Sequence, residues 1–164
     1  GLRAPHEIPG HWVYKLDPET GKVEVLIKDL AMPNGIVFSP DGTRLYVADT
    51  GGHKRHPDPK YHDYPDTVTC YAVSKKGKLG KKLFTIDEGS DGMAVDVNGN
   101  LYLTHGQVQV YDADGKKLET IEVPEKPANV CFGGKDYKTL FITARTSLYQ
   151  VRLLHAGATS LRKR

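Results

Sequence analysis

Pro33-Asn34-Gly35-Ile36-Val37-Phe38-Ser39-Pro40-Asp41-Gly42-Thr43-Arg44-Leu45-Tyr46-Val47-Ala48-Asp49 is the stretch that decides the fold. Two short apolar strands flank a Ser-Pro-Asp-Gly turn, and Asp-Gly between apolar runs is a strong hairpin signal. The same hairpin returns at residues 90–105, turning through Val97-Asn98-Gly99-Asn100, and again at 127–145, turning through 133–138. Each hairpin is followed by more strand: 68–73 and 82–86, then 107–112 and 118–123, then 147–153. Ahead of them, 12–17 and 23–27 read as the outer two strands of a preceding unit. No segment shows a helical period over ten or more residues.

Asn34 and Asp91 stand 57 positions apart, and Asp91 and the matching Ala128 stand 37 apart. Most of the difference is an insertion at 51–66; without it both spacings lie near 40 residues, the period of a four-stranded propeller blade. The expected fold is therefore all-β, a partial β-propeller over 1–164. It has outer strands at 12–30, a blade at 33–86 carrying the 51–66 insertion, a blade at 90–123, a blade at 127–153 and a tail at 154–164. About three and a half blades do not close a propeller, and an open arc exposes strand edges, so an N-terminal portion is expected upstream. A start at Gly1 with no visible signal peptide points the same way and leaves cytoplasm and periplasm both open.

The composition is ordinary for a globular protein, with 38% hydrophobic and 26% charged residues. A net charge of +3, from 23 basic and 20 acidic residues, is too balanced to imply nucleic acid. No apolar run approaches the ~20 residues of a membrane span. The basic end at 161–164 reads as a solvated tail. Neither nucleic acid nor membrane is an expected partner, and the oligomeric state is not readable. Cys70 and Cys131 each sit in an apolar stretch and are expected as buried, reduced thiols.

Alternating strands sort the connections by end. The starts of the first strands and the connections from second to third strands share one end, which therefore gathers Asn34, Asp91, Asp49, His105, Arg145 and the insertion with its three His, two Tyr and three Asp. Asn34-Gly35 and Asp91-Gly92 each also read as simple turns. Their recurrence at one repeat position favours a shared task. An amide oxygen and a carboxylate suit a hard divalent cation, Ca²⁺, Mg²⁺ or Mn²⁺, although two ligands are too few. The insertion reads as a loop without obvious secondary structure, and its histidines have no clean zinc spacing.

These same motifs, Pro33-Asn34-Gly35 running into Phe38-Ser39-Pro40-Asp41-Gly42, Ser90-Asp91-Gly92-Met93 with Asp96, and Cys131-Phe132-Gly133-Gly134 before Leu140, resemble the gluconolactonase family that includes regucalcin (senescence marker protein). The resemblance runs from about Trp12 to Leu153. It implies a six-bladed propeller that hydrolyses sugar lactones or related esters with a divalent metal, Ca²⁺ ahead of Mg²⁺, Mn²⁺ or Zn²⁺. It makes Asn34 a metal ligand, and Asp91 a metal ligand and the general base for water. The family also uses an N-terminal Glu ligand and an upstream Asn for substrate. Neither is found here: Glu7 precedes outer strands, so it is not assigned that role. By position, His105, Arg145, Asp49 and the insertion are expected to shape the substrate pocket. A non-catalytic binding module on the same face and an inactive fragment of the enzyme are the competing readings.

Overall fold

The computed structural model describes residues 8, 10–52 and 58–158; Glu7, positions 53–57 of the insertion and the basic end at 161–164 lie outside them. The described residues are all-β, with one 3₁₀ turn, and form four antiparallel sheets. β1 (Val13–Leu16) pairs with β2 (Val23–Ile27). β3 (Pro33–Phe38), β4 (Arg44–Asp49), β5 (Thr67–Val73) and β6 (Leu79–Ile86) make one four-stranded meander. β7 (Met93–Val95), β8 (Leu101–His105), β9 (Gln107–Tyr111) and β10 (Lys117–Ile121) make the next. β11 (Pro127–Gly133), β12 (Thr139–Ala144) and β13 (Leu148–Arg152) form a three-stranded sheet.

Neighbouring strands pair in chain order within every sheet, and β3 meets β7 while β7 and β8 meet β11. Successive sheets thus pack face to face with their first strands adjoining, which is the arrangement of propeller blades. The second strand of each blade is the most buried. β4 is buried from Leu45 through Asp49, and in β8 Leu101 and Leu103 have no exposed surface. Fully burying a Leu of this kind contributes roughly 1.5–3 kcal/mol. One core cluster fills each seam: Val13 and Ile27 against Leu45 and Val47, Tyr46 and Val68 against Met93 and Leu103, and Tyr102 and Val110 against Phe132 and Leu140.

The chain after β13 returns across the third seam. Val97 donates its N–H to the Ala156 carbonyl, and Ala158 donates to that of Val95. This ties the last blade to β7. Asp96, fully buried beside that junction, accepts from the N–H groups of Asn98 and Asn100, the Asn100 amide and the Tyr102 hydroxyl. Its place in the recurring motif is thereby structural.

Two expectations change. Cys70 is buried but Cys131 is exposed, and both thiols are free. On β11, Val130 and Phe132 point inward, so the residue between them must face out. The insertion, read as a loop without secondary structure, contains a 3₁₀ turn at Pro59–Tyr61 that Asp58 caps by accepting from the Lys60 N–H. The Tyr61 and Tyr64 rings pack edge-on 5.1 Å apart behind it.

Candidate functional site

Asn34 and Asp91 sit at the starts of the first strands of consecutive blades. The Asn34 amide donates to Asp91 Oδ1 at 2.7 Å across the seam. Both line a polar cavity of about 290 Å³ together with Thr50, Asp66, Ser90, Thr104, His105 and Lys126. That is near the lower limit for small-ligand sites. An apolar groove of similar volume lies elsewhere, lined by Tyr14, Ile36 and Phe38 among others. It brings no set of polar groups together, so the chemistry belongs to the polar cavity.

The backbone under Asp91 is held from several directions. Ser90 Oγ, buried, accepts from the Thr104 N–H at 2.8 Å and donates to the Gly92 carbonyl at 2.7 Å. Thr104 Oγ1 accepts from the Gly92 N–H at 3.0 Å, and that N–H also reaches the Ala128 carbonyl of the next blade at 2.8 Å. Gly92 has no room for a side chain, because a Cβ there would lie 2.0 Å from Asn129 Oδ1 and 2.9 Å from Asn129 Cα. Asp91 therefore projects from an immobilised strand start. Its Oδ2 accepts no hydrogen bond among the described residues.

His105 ends β8 inside this cavity, with Nε2 3.5 Å from Asp66 Oδ2. Asp66 closes the insertion, so the insertion delivers the carboxylate that faces His105. Gly106, at φ +70°, provides the left-handed turn that lets His105 pair with Gln107 and end the strand at this point.

Two expected site residues stand elsewhere. Asp49 is 1% exposed. Its Oδ2 accepts from the Ala31 N–H at 2.7 Å, and its Oδ1 from those of Met32 and Gly51 at 2.7 and 3.1 Å. It clamps the segment leading into β3 and cannot reach a ligand in the cavity. Arg145 is exposed in the β12–β13 turn and does not line the cavity; Glu125 closes that turn by accepting from the Thr146 N–H. Conversely, Lys126 and the Ser90–Thr104 pair are cavity residues that sequence reasoning passed over. Lys126 could have been found, since it immediately precedes the first strand of its blade, and Ser90 and Asp91 lie two or three residues ahead of theirs.

The donor set of the Asn34–Asp91 pair suits a hard cation. Rotating the Asn34 amide by 180° turns Oδ1 toward the carboxylate, an oxygen pair that a cation compensates. Among the described residues no group of three or more His, Cys, Asp or Glu could hold a metal, so the described residues offer a partial ligand set.

Residues 3–146 match the SMP-30/Gluconolactonase/LRE-like region. The chain is 32% identical over 161 residues to a lactonohydrolase of Aspergillus oryzae, covering 88% of this chain and 34% of that protein. A solved gluconolactonase from Xanthomonas campestris superposes with a TM-score of 0.74 at 30% identity, over 92% of this chain and 47% of that one. A calcium-binding regucalcin from Agrobacterium tumefaciens superposes with a TM-score of 0.66 at 32% identity, over 82% of this chain and 44% of that one. The chain spans less than half the length of each of these three proteins.

Proposed function

The chain belongs to the SMP-30/gluconolactonase/LRE-like family, and from that membership and the polar cavity we propose that it carries out metal-dependent hydrolysis of a small sugar lactone. The observation that carries the reading is the Asn34–Asp91 pair, 2.7 Å apart at the mouth of two adjoining blades.

Asn34 Oδ1 and the Asp91 carboxylate are the two groups of this chain that would hold a divalent cation. Ca²⁺ is the preferred ion, because it accepts irregular sets of amide, carboxylate and water oxygens. The similar Agrobacterium protein is calcium-binding. When bound, the cation supplies Lewis acidity toward the lactone carbonyl and lowers the pKa of water. Asp91, whose Oδ2 accepts no hydrogen bond among the described residues, takes the proton from the attacking water as general base. The backbone clamp at Ser90 and Thr104 keeps that carboxylate in place, so little ordering is left for the reaction itself. His105, faced by Asp66, borders the substrate and donates to or accepts from its ring hydroxyls.

The test is Ca²⁺-supported turnover of D-glucono-δ-lactone by this chain and by Asp91→Asn. The chain hydrolyses the lactone, a chelator stops it, and Ca²⁺ restores it. The variant loses about 10²–10⁴-fold in kcat, the usual worth of a positioned base, with an unchanged unfolding midpoint. Near-normal turnover by the variant removes Asp91 from the chemistry. Ligand binding without turnover by the unsubstituted chain moves the cavity to the class of binding modules.

A further inference from the structure

We infer that this cavity selects lactones bearing an anionic substituent, such as a phosphate or sulfonate, and that Lys126 is the residue that reads it. The inference rests on the site reading above and adds a substrate class to it. The ionisable groups lining the cavity are Asp66, Asp91, His105 and Lys126. Asp66 faces His105 at 3.5 Å, and Asp91 takes the Asn34 amide at 2.7 Å. Lys126 forms no ion pair or hydrogen bond among the described residues.

The one acid adjacent to Lys126 in the chain is committed elsewhere. Glu125 accepts from the Thr146 N–H at 3.0 Å and from the Thr146 and Ser147 hydroxyls. Those bonds hold its pKa below the usual carboxylate value. With a divalent cation on Asp91, the other described carboxylate of the cavity is Asp66, which faces His105 and makes no ion pair with Lys126. Nor is Lys126 a wandering surface charge at its base. It precedes the buried Pro127, which pairs with Ala144 at the start of β11, so its stem leaves a fixed point on the rim. An ammonium held at a rim with no internal partner, beside a site for a neutral ring, is a point-charge receptor for an anion carried on that ring.

The test separates this inference from the hydrolytic reading by using ligands that cannot be hydrolysed. 1,5-Anhydro-D-glucitol and its 6-phosphate keep the ring and lack the carbonyl. Their Kd values are measured by calorimetry in Ca²⁺ for the chain and for Lys126→Met, which keeps the aliphatic stem. The chain binds the phosphate at least about fivefold more tightly than the neutral ring, and added salt erodes the ratio. In Lys126→Met the ratio falls to near one, with an unchanged unfolding midpoint. Equal affinities in the unsubstituted chain, or a ratio that survives Lys126→Met, overturns the inference. So does inorganic phosphate binding as tightly as the sugar phosphate, because the anion must then be read without its ring. A preserved ratio without lactone turnover leaves the inference standing and refutes the hydrolytic reading, and turnover without a ratio does the reverse.

Discussion

Replacing Asp49 by Ala separates two roles that its position at the chemically rich end allows. Its carboxylate is buried and accepts from the backbone N–H groups of Ala31, Met32 and Gly51. At roughly 1.5–3 kcal/mol for a hydrogen bond to a charged group, the two shortest bonds alone put the loss at about 3–6 kcal/mol. With an unfolding entropy of about 2.1 cal/mol/K per residue over 164 residues, that loss lowers Tm by about 9–17 °C. Asp49→Asn keeps one acceptor oxygen but turns an amide N–H₂ toward a backbone donor, and falls between. The assay is thermal unfolding followed by circular dichroism, with urea unfolding as a check on the free energy. A midpoint within about 2 °C of the original, together with a raised KM for a lactone, would falsify the clamp and return Asp49 to the substrate surface.

Two further outcomes follow from the same structure. Ellman's reagent titrates one thiol of the native protein, Cys131, and reaches Cys70 only in denaturant, because burial both shields that thiol and raises its pKa; Cys131→Ser removes the fast reaction, two fast thiols would contradict the burial of Cys70 on β5, and no fast thiol would contradict the outward face of Cys131 on β11. Stability falls as pH rises above about 10: burial, reinforced by the Asp29 charge, pushes the Tyr71 phenol up to about 12, and burial with the Asp96 charge raises that of Tyr102 further. The unfolded phenols ionise first, so the unfolded state binds fewer protons in that window, and the tyrosines' contribution, complete below pH 10, is lost as pH climbs through the folded values. Urea midpoints that stay flat from about pH 9 to about pH 11.5 would contradict this sign.

The blade pattern was legible because its signals are local. Asp-Gly and Asn-Gly turns, alternating apolar runs and a period near 40 residues each depend on a few adjacent residues. The outward Cys131 was also legible in principle, since period-two alternation between Val130 and Phe132 demands it. Asp49 was not. Its partners are backbone N–H groups of Ala31 and Met32, and no side chain in the sequence marks them as donors. The same holds for Ser90 and Thr104, whose hydroxyls bind the backbone of Gly92. Arg145 failed for another reason: belonging to the correct end of a blade does not place a side chain in the cavity, and the Glu125 contacts that close its turn come from a different connection.

The polar residues at this end divide into a buried layer that holds backbone, namely Asp49, Ser90 and Thr104, and an exposed layer that faces the cavity, namely Asn34, Asp91 and Lys126. The second layer depends on the first, and on the seam. Asn34 and Asp91 are 57 residues apart in sequence, and no connection between them is short enough to set their separation. It is set by how closely β3 and β7 approach. Gly35 permits that approach, because a Cβ at this position would lie 2.8 Å from the Asp91 carbonyl oxygen and 3.1 Å from Met93 Cε. The closest neighbour is backbone and cannot swing aside, so any side chain at position 35 must push the two first strands apart. The glycine that follows Asn34 therefore does more than end a turn. It is the spacer that lets two blades bring an amide and a carboxylate to one point, and the interblade core of Tyr46, Met93 and Leu103 keeps them there.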